Sequence, residues 1–149
     1  MTNLKFQLEK IKAPIYAYWQ RKYYQAVEKQ DFKAALYSLK KISSRYKGSL
    51  PPYWALELVN VRLSLGQFNR AVKVIEDIVA SVNDNPNYSH DTKLFLLKHI
   101  EKPHSEALKG KYGIDGHVRV DGVRYVDIDE INFSKVDPTF RFGWPLDPI

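Results

Sequence analysis

Apolar residues recur at spacings of three and four along this chain, most clearly between Tyr53 and Val82. Trp54, Leu58, Val61 and Leu65 form one stripe, and Phe68, Ala71, Val72, Ile75, Ile78 and Val79 form a second. Such spacing puts each set on one face of a helix. Gly66 stands where the first helix must stop and the second must start, and glycine takes the left-handed conformation of such a stop at little cost. The pattern predicts a helical hairpin that pairs residues 53–65 with 68–82.

The hairpin has an earlier echo. Gln30-Asp31-Phe32-Lys33-Ala34-Ala35 matches Gly66-Gln67-Phe68-Asn69-Arg70-Ala71 at an offset of 36. Phe32 falls on Phe68, Ala35 on Ala71, Leu39 on Ile75 and Ile42 on Ile78, while Tyr18-Trp19 falls on Trp54-Ala55. Each copy runs into proline, at Pro51-Pro52 and at Pro86. A period in the middle thirties with a helix–turn–helix unit marks a helical repeat, and predicts a first pair at 16–30 and 32–46. The early alanine of each second helix lets two helices approach closely.

On these residues, Gly66-x-Phe68-x-x-Ala71 and Gln30-x-Phe32-x-x-Ala35, the stretch from Ile15 to Asn83 resembles the tetratricopeptide-repeat family. The small residue that the family usually has inside the first helix is here Tyr23 in one unit and Val59 in the other. The resemblance implies stacked helical hairpins whose concave face binds peptides or partner proteins.

The flanking segments extend this reading. Leu4, Leu8 and Ile11 suggest a short helix over Met1 to Ala13, ended or kinked by Pro14. Asp31 is placed to cap the helix that starts at Phe32, and Pro52 suits the first turn of the next one. Ser89 or His90 would cap a further helix, Asp91 to Ile100, that covers the last repeat. Pro103 interrupts the pattern before a short helix from His104 to Lys109. From Gly110 the character changes. His117 to Ile128 alternates around Asp121-Gly122, the signal of a β-hairpin over residues 116–128. Residues 130–149 hold Pro138, Pro145 and Pro148 among Phe133, Phe140, Phe142 and Trp144, and read as an extended arm. The expected architecture is mainly α. A helical-hairpin repeat bundle occupies residues 1–109, and a small C-terminal β-hairpin with a Pro- and aromatic-rich arm occupies 110–149.

Charge sharpens the picture. Residues 1–50 hold 11 Lys or Arg against three acids, a net charge of +8. The remainder carries 12 against 14, so the whole chain stands at +6. A basic half points to an acidic or polyanionic partner. Cysteine is absent, which removes disulfides and thiolate metal sites. No apolar run has membrane-spanning length and no basic-then-apolar leader opens the chain, so the expectation is a soluble cytoplasmic protein.

Candidate chemistry is sparse. His99 and His104 straddle Pro103, and Asp127-x-Asp129-Glu130 is the one dense acidic cluster. There is no GxSxG elbow and no phosphate-cradling glycine loop. No enzyme, cofactor or metal is expected. The helix from Ile15 to Lys29 interleaves Tyr16, Tyr18, Trp19, Tyr23 and Tyr24 with Arg21 and Lys22, more aromatics than one face can bury. Trp19 and Tyr23 are assigned to the core. Tyr16, Arg21, Lys22, Tyr24, Lys33, Lys40 and Lys41 are assigned to a partner-binding surface, with Phe140, Phe142 and Trp144 of the arm as further anchors. The expected function is a non-catalytic protein-interaction module of adaptor, chaperone or inhibitor type. The alternative is nucleic-acid binding through the basic, aromatic first helices.

Overall fold

The computed structural model describes residues 2–46, 50–113, 126–138 and 140, with the side chains of 2–14 excepted. These residues form α1 (Thr2–Glu28), α2 (Phe32–Ser43), α3 (Pro52–Ser64), α4 (Phe68–Asp84) and α5 (His90–Tyr112). Single 3-10 turns occupy Ser44–Tyr46, Ile128–Glu130 and Phe133–Lys135. The chain divides into two compact units, Met1–Trp54 and Ala55–Ile149.

In the first unit α1 packs on α2. Tyr23 and Ala26 of α1 and Ala35, Ser38, Leu39 and Ile42 of α2 are buried. Asp31 caps α2 as its position suggested, its carboxylate accepting from the Ala34 N–H at 3.2 Å. The α1–α2 turn is a Schellman motif: the Gln30 N–H donates to the Val27 carbonyl and the Asp31 N–H to that of Ala26.

In the second unit α4 buries Ala71, Val72, Ile75, Ile78 and Val82 and packs on α5. The α3–α4 turn repeats the earlier one bond for bond. The Gly66 N–H donates to Leu63 and the Gln67 N–H to Arg62, each at an offset of 36 from its counterpart. Burial repeats as well: Ala35 and Ala71 are both wholly enclosed, and so are Tyr23 and Val59. The offset of 36 thus pairs a buried Tyr with a buried Val.

Two helices are longer than their prolines suggested. α1 runs through Pro14 without a break, and α5 runs through Pro103. An interior proline removes one N–H donor and crowds the preceding turn, at a cost of about 3 kcal/mol. In α5 that cost is offset by burial on both sides, of Leu96 and Ile100 before it and of Ala107 and Leu108 after it.

The expected C-terminal β-hairpin is corrected. The described residues contain no β-strand, and residues 114–125, which hold most of the segment 116–128, lie outside them. The described end of the segment is not paired as a strand. Val126 donates its N–H to the Glu101 carboxylate, and its carbonyl accepts from Lys98 Nζ at 2.8 Å. Side chains of α5 thus take the backbone groups that a partner strand would need. The Asp127 carboxylate then accepts from the Asp129 N–H and starts a 3-10 turn.

From Val126 to Asp137, which includes the first described residues of the arm, extended positions alternate with 3-10 turns and form a strap. It contains a five-residue unit, Val126-Asp127-Ile128-Asp129-Glu130, then Ile131-Asn132-Phe133-Ser134-Lys135, then the start of a third at Val136-Asp137. Each begins with a β-branched residue that is buried: Val126, Ile131 and Val136. In the first two an Asp or Asn follows and caps a 3-10 turn through its side chain. The strap is pinned to the start of α5 as well. The Asn132 N–H donates to Asp91 at 2.9 Å, the Asp137 N–H to Thr92 Oγ1 at 3.0 Å, and Ser89 Oγ to the Lys135 carbonyl at 3.0 Å.

Candidate partner-binding face

Part of the basic and aromatic set of the first unit comes together on one face of α1 and α2. Helical spacing puts Ile15, Tyr18, Trp19 and Lys22 together on α1, and Tyr37, Lys41 and Arg45 together on α2 and the turn after it. The rings and cations from Lys22 to Lys41 form a continuous chain, and Arg45 pairs with two further rings. Lys22 Nζ lies 5.4 Å from the centre of the Tyr18 ring. Tyr18 meets Trp19 edge to face at 5.2 Å, and Trp19 meets Tyr37 edge to face at 5.6 Å. Lys41 Nζ sits 5.2 Å from the Tyr37 ring centre and 5.9 Å from that of Trp19. The Arg45 guanidinium lies 5.2 Å from the Tyr16 ring and 6.0 Å from that of Tyr46.

A surface pocket of about 270 Å³ opens within this face. Ile15, Tyr16, Trp19, Lys41 and Ser44 line it. The lining set combines an aliphatic residue, two aromatic residues, a lysine and a serine. Cations over ring faces are held by the ring quadrupole, worth about 0.5–1 kcal/mol at exposed sites. They are fixed in place without being neutralised. No salt bridge to Lys22, Lys41 or Arg45 exists among the described residues.

Several of the sequence-predicted residues fall into this arrangement. Tyr16 is half-buried at the pocket, Lys22 and Lys41 are exposed over their rings, and all three lie on this face. Others lie apart. Tyr24 belongs to a second aromatic cluster with Tyr23, Tyr53 and Trp54, and its hydroxyl pairs with that of Tyr53. Arg21, Lys33 and Lys40 are exposed and join no ring or ion pair among the described residues. Phe140 is in the second unit, where it meets Tyr88 edge to face at 5.5 Å. Phe142 and Trp144 lie outside the described residues.

The sequence reading missed Trp19, Tyr37 and Arg45 as members of the face. Tyr23 is enclosed as expected, but Trp19 is only half-buried and lines the pocket. Tyr37 is 54% exposed. The signal was present as Tyr37-x-x-x-Lys41-x-x-x-Arg45, an i, i+4, i+8 row that a view of α2 as apolar stripe plus solvated charge passes over. Among the described residues no group of three His, Asp or Glu side chains could hold a metal ion, and no helix is long and apolar enough to cross a membrane. In comparison with known proteins, no family model, no curated protein and no solved structure matches this chain.

Proposed function

We propose that this protein is a non-catalytic protein-binding module, of adaptor, chaperone or inhibitor type. Its α1/α2 face takes an acidic protein segment that also presents an apolar side chain. The observation that carries this reading is Lys41, whose ammonium stands over Trp19 and Tyr37 and which lines a pocket together with Ile15, Tyr16 and Trp19. A carboxylate of the partner pairs with that ammonium while a neighbouring apolar side chain fills the pocket. The +8 charge of residues 1–50 steers an acidic partner toward it. The duplicated helix–turn–helix units, similar to tetratricopeptide repeats, support a role in partner recognition.

Geometry favours a protein segment over a single-stranded nucleic acid. Bases need free ring faces to stack on. Here Lys22, Lys41 and Arg45 already cover ring faces, and Tyr18, Trp19 and Tyr37 meet edge to face. The test is fluorescence anisotropy with three probes: a synthetic Asp/Glu-rich peptide with one Leu, the same peptide with Asn and Gln replacing its acids, and oligothymidine. The acidic peptide should bind, the neutral one should not, and Lys40→Glu with Lys41→Glu should remove binding without lowering the melting temperature. Tighter binding of oligothymidine, with a steep loss of affinity as salt rises, would replace this reading with the nucleic-acid one.

A further inference from the structure

The chain carries a segment with the chemistry that its α1/α2 face selects. In the turn Asp127-Ile128-Asp129-Glu130 one apolar residue is flanked by carboxylates, and all four residues are exposed. Ile128 leaves 43% of its surface in solvent. The Asp127 carboxylate is engaged in capping the turn. That of Asp129 makes no hydrogen bond or ion pair among the described residues.

The turn is held rigidly from both ends. On one side Val126 is buried and its backbone is gripped by Glu101 and Lys98. On the other side Ile131 is buried, and the Asn132 N–H is tied to Asp91. Its own i to i+3 bonds, Glu130 N–H to Asp127 and Ile131 N–H to Ile128, close it. A segment fixed before it meets a partner loses little freedom on binding. Single exposed apolar residues are common on protein surfaces. An isoleucine fixed between carboxylates is more specific, because it offers an apolar side chain and a carboxylate to a pocket lined by Ile15, Tyr16, Trp19, Lys41 and Ser44.

We infer that the partner segment of the α1/α2 face is the acidic turn 127–130 of a second copy of this chain, with Ile128 in the pocket and Asp129 on Lys41. The inference rests on the reading given under Proposed function and names its ligand. A face on one copy and a different face on the next make a head-to-tail contact, which grows into chains or closes into rings. One turn in one pocket is at the small end of protein interfaces, so association is weak, and exposed charge pairs make it salt-sensitive.

The test is sedimentation velocity of the full chain over a wide concentration range at low and high salt. The wild-type sedimentation coefficient should rise with concentration, less so at high salt. Asp129→Lys, Ile128→Ser and Lys41→Glu should each raise the concentration needed by about tenfold or more. An equimolar mixture of Lys41→Glu and Asp129→Lys should associate again, because the wild-type turn of the first meets the wild-type face of the second. A wild-type chain that stays monomeric throughout, single variants that associate like the wild type, or a mixture that stays monomeric would overturn the inference. The acidic synthetic peptide separates the two levels. If it binds the wild type and Asp129→Lys but not Lys41→Glu while the chain stays monomeric, the face is a receptor for another protein and only the self-association falls. If it binds none of them, both fall.

Discussion

Gln30 and Gly66 hold the same left-handed backbone position, 36 residues apart, with φ of 58° and 72°. Each ends the first helix of its unit, and the backbone bonds around each are the same. The second copy uses the residue that enters this region freely, whereas the first forces a side chain with a Cβ into it. Gln30→Gly should therefore stabilise the protein by up to about 1 kcal/mol. Gly66→Ala should destabilise it by a similar amount, since a Cβ there meets no atom and the penalty is purely one of backbone conformation. Chemical denaturation of the two variants checks both signs. An unchanged midpoint for Gln30→Gly would mean that the turn relaxes around Gln30.

The buried face of α4 and the cap at Asp31 were legible in the sequence because they depend on neighbours three or four positions away, and Ser89 is the cap of the two residues the sequence offered for α5. On α3 the stripe was half legible: Trp54 and Val61 are buried, but Leu56 and Val59 are enclosed where Leu58 and Leu65 were expected. The rest depends on distant partners. The apolar alternation around Asp121-Gly122 suggested a strand that would include Val126. Yet the Val126 backbone is taken by Glu101 and Lys98, 25 and 28 residues earlier. Pro14 and Pro103 both stand inside helices against the local rule, and at Pro103 burial along the helix outweighs it. The candidate face was half legible. Lys41 and Tyr16 could be named from charge and aromatic content. That Trp19 lines a pocket instead of the core follows only from how α1 lies on α2.

Close approach of α5 to the start of α4 gives a second prediction. A Cβ built on Gly110 runs into the ring of Phe68. Phe68 is partly buried and opens α4, so its ring cannot swing away without loss of contacts. Gly110→Ala should cost about 1–3 kcal/mol, as overpacking does. The double variant Gly110→Ala with Phe68→Leu should recover part of that loss. Melting curves of the three proteins decide it.

Two histidines set a pH dependence. Burial holds His99 below its usual 6.5, opposed by its ring nitrogen's bond to the Phe95 carbonyl at 2.9 Å. Burial also lowers His104, opposed by the Glu76 carboxylate. Below pH 6.5 the unfolded chain takes up protons that the folded chain resists, so it binds more of them and stability rises with pH. The stabilisation is complete above about pH 6.5 and is lost as pH falls through the lowered folded values. Melting temperature should drop across that acidic window in the wild type, and drop less in His99→Gln with His104→Gln. Parallel curves for the two proteins would show that other groups control acid sensitivity.

The strap from Val126 to Asp137 should stabilise the second unit in cis. Ile131 and Val136 are buried, and each such side chain contributes roughly 1.5–3 kcal/mol before the cost of ordering its segment is subtracted. The ordering cost is reduced because Ser89, Asp91 and Thr92 at the start of α5 bond to strap backbone groups, which would otherwise be left to water. Truncation after Glu130 removes both anchors and all three bonds while leaving the Glu101 grip on Val126. It should lower the melting temperature by several degrees, at about 2–4 °C for each kcal/mol lost. Glu101→Ala probes the other end alone. It leaves the Val126 N–H without its acceptor and Lys98 without its ion-pair partner at 3.0 Å, so it should cost on the order of 1–3 kcal/mol. Hydrogen exchange at the Val126 amide separates the two effects. Exchange should speed up in Glu101→Ala even where global melting shifts little, and stay slow in the truncated chain. Equal melting and equal exchange in all three proteins would show that the strap is not held by α5.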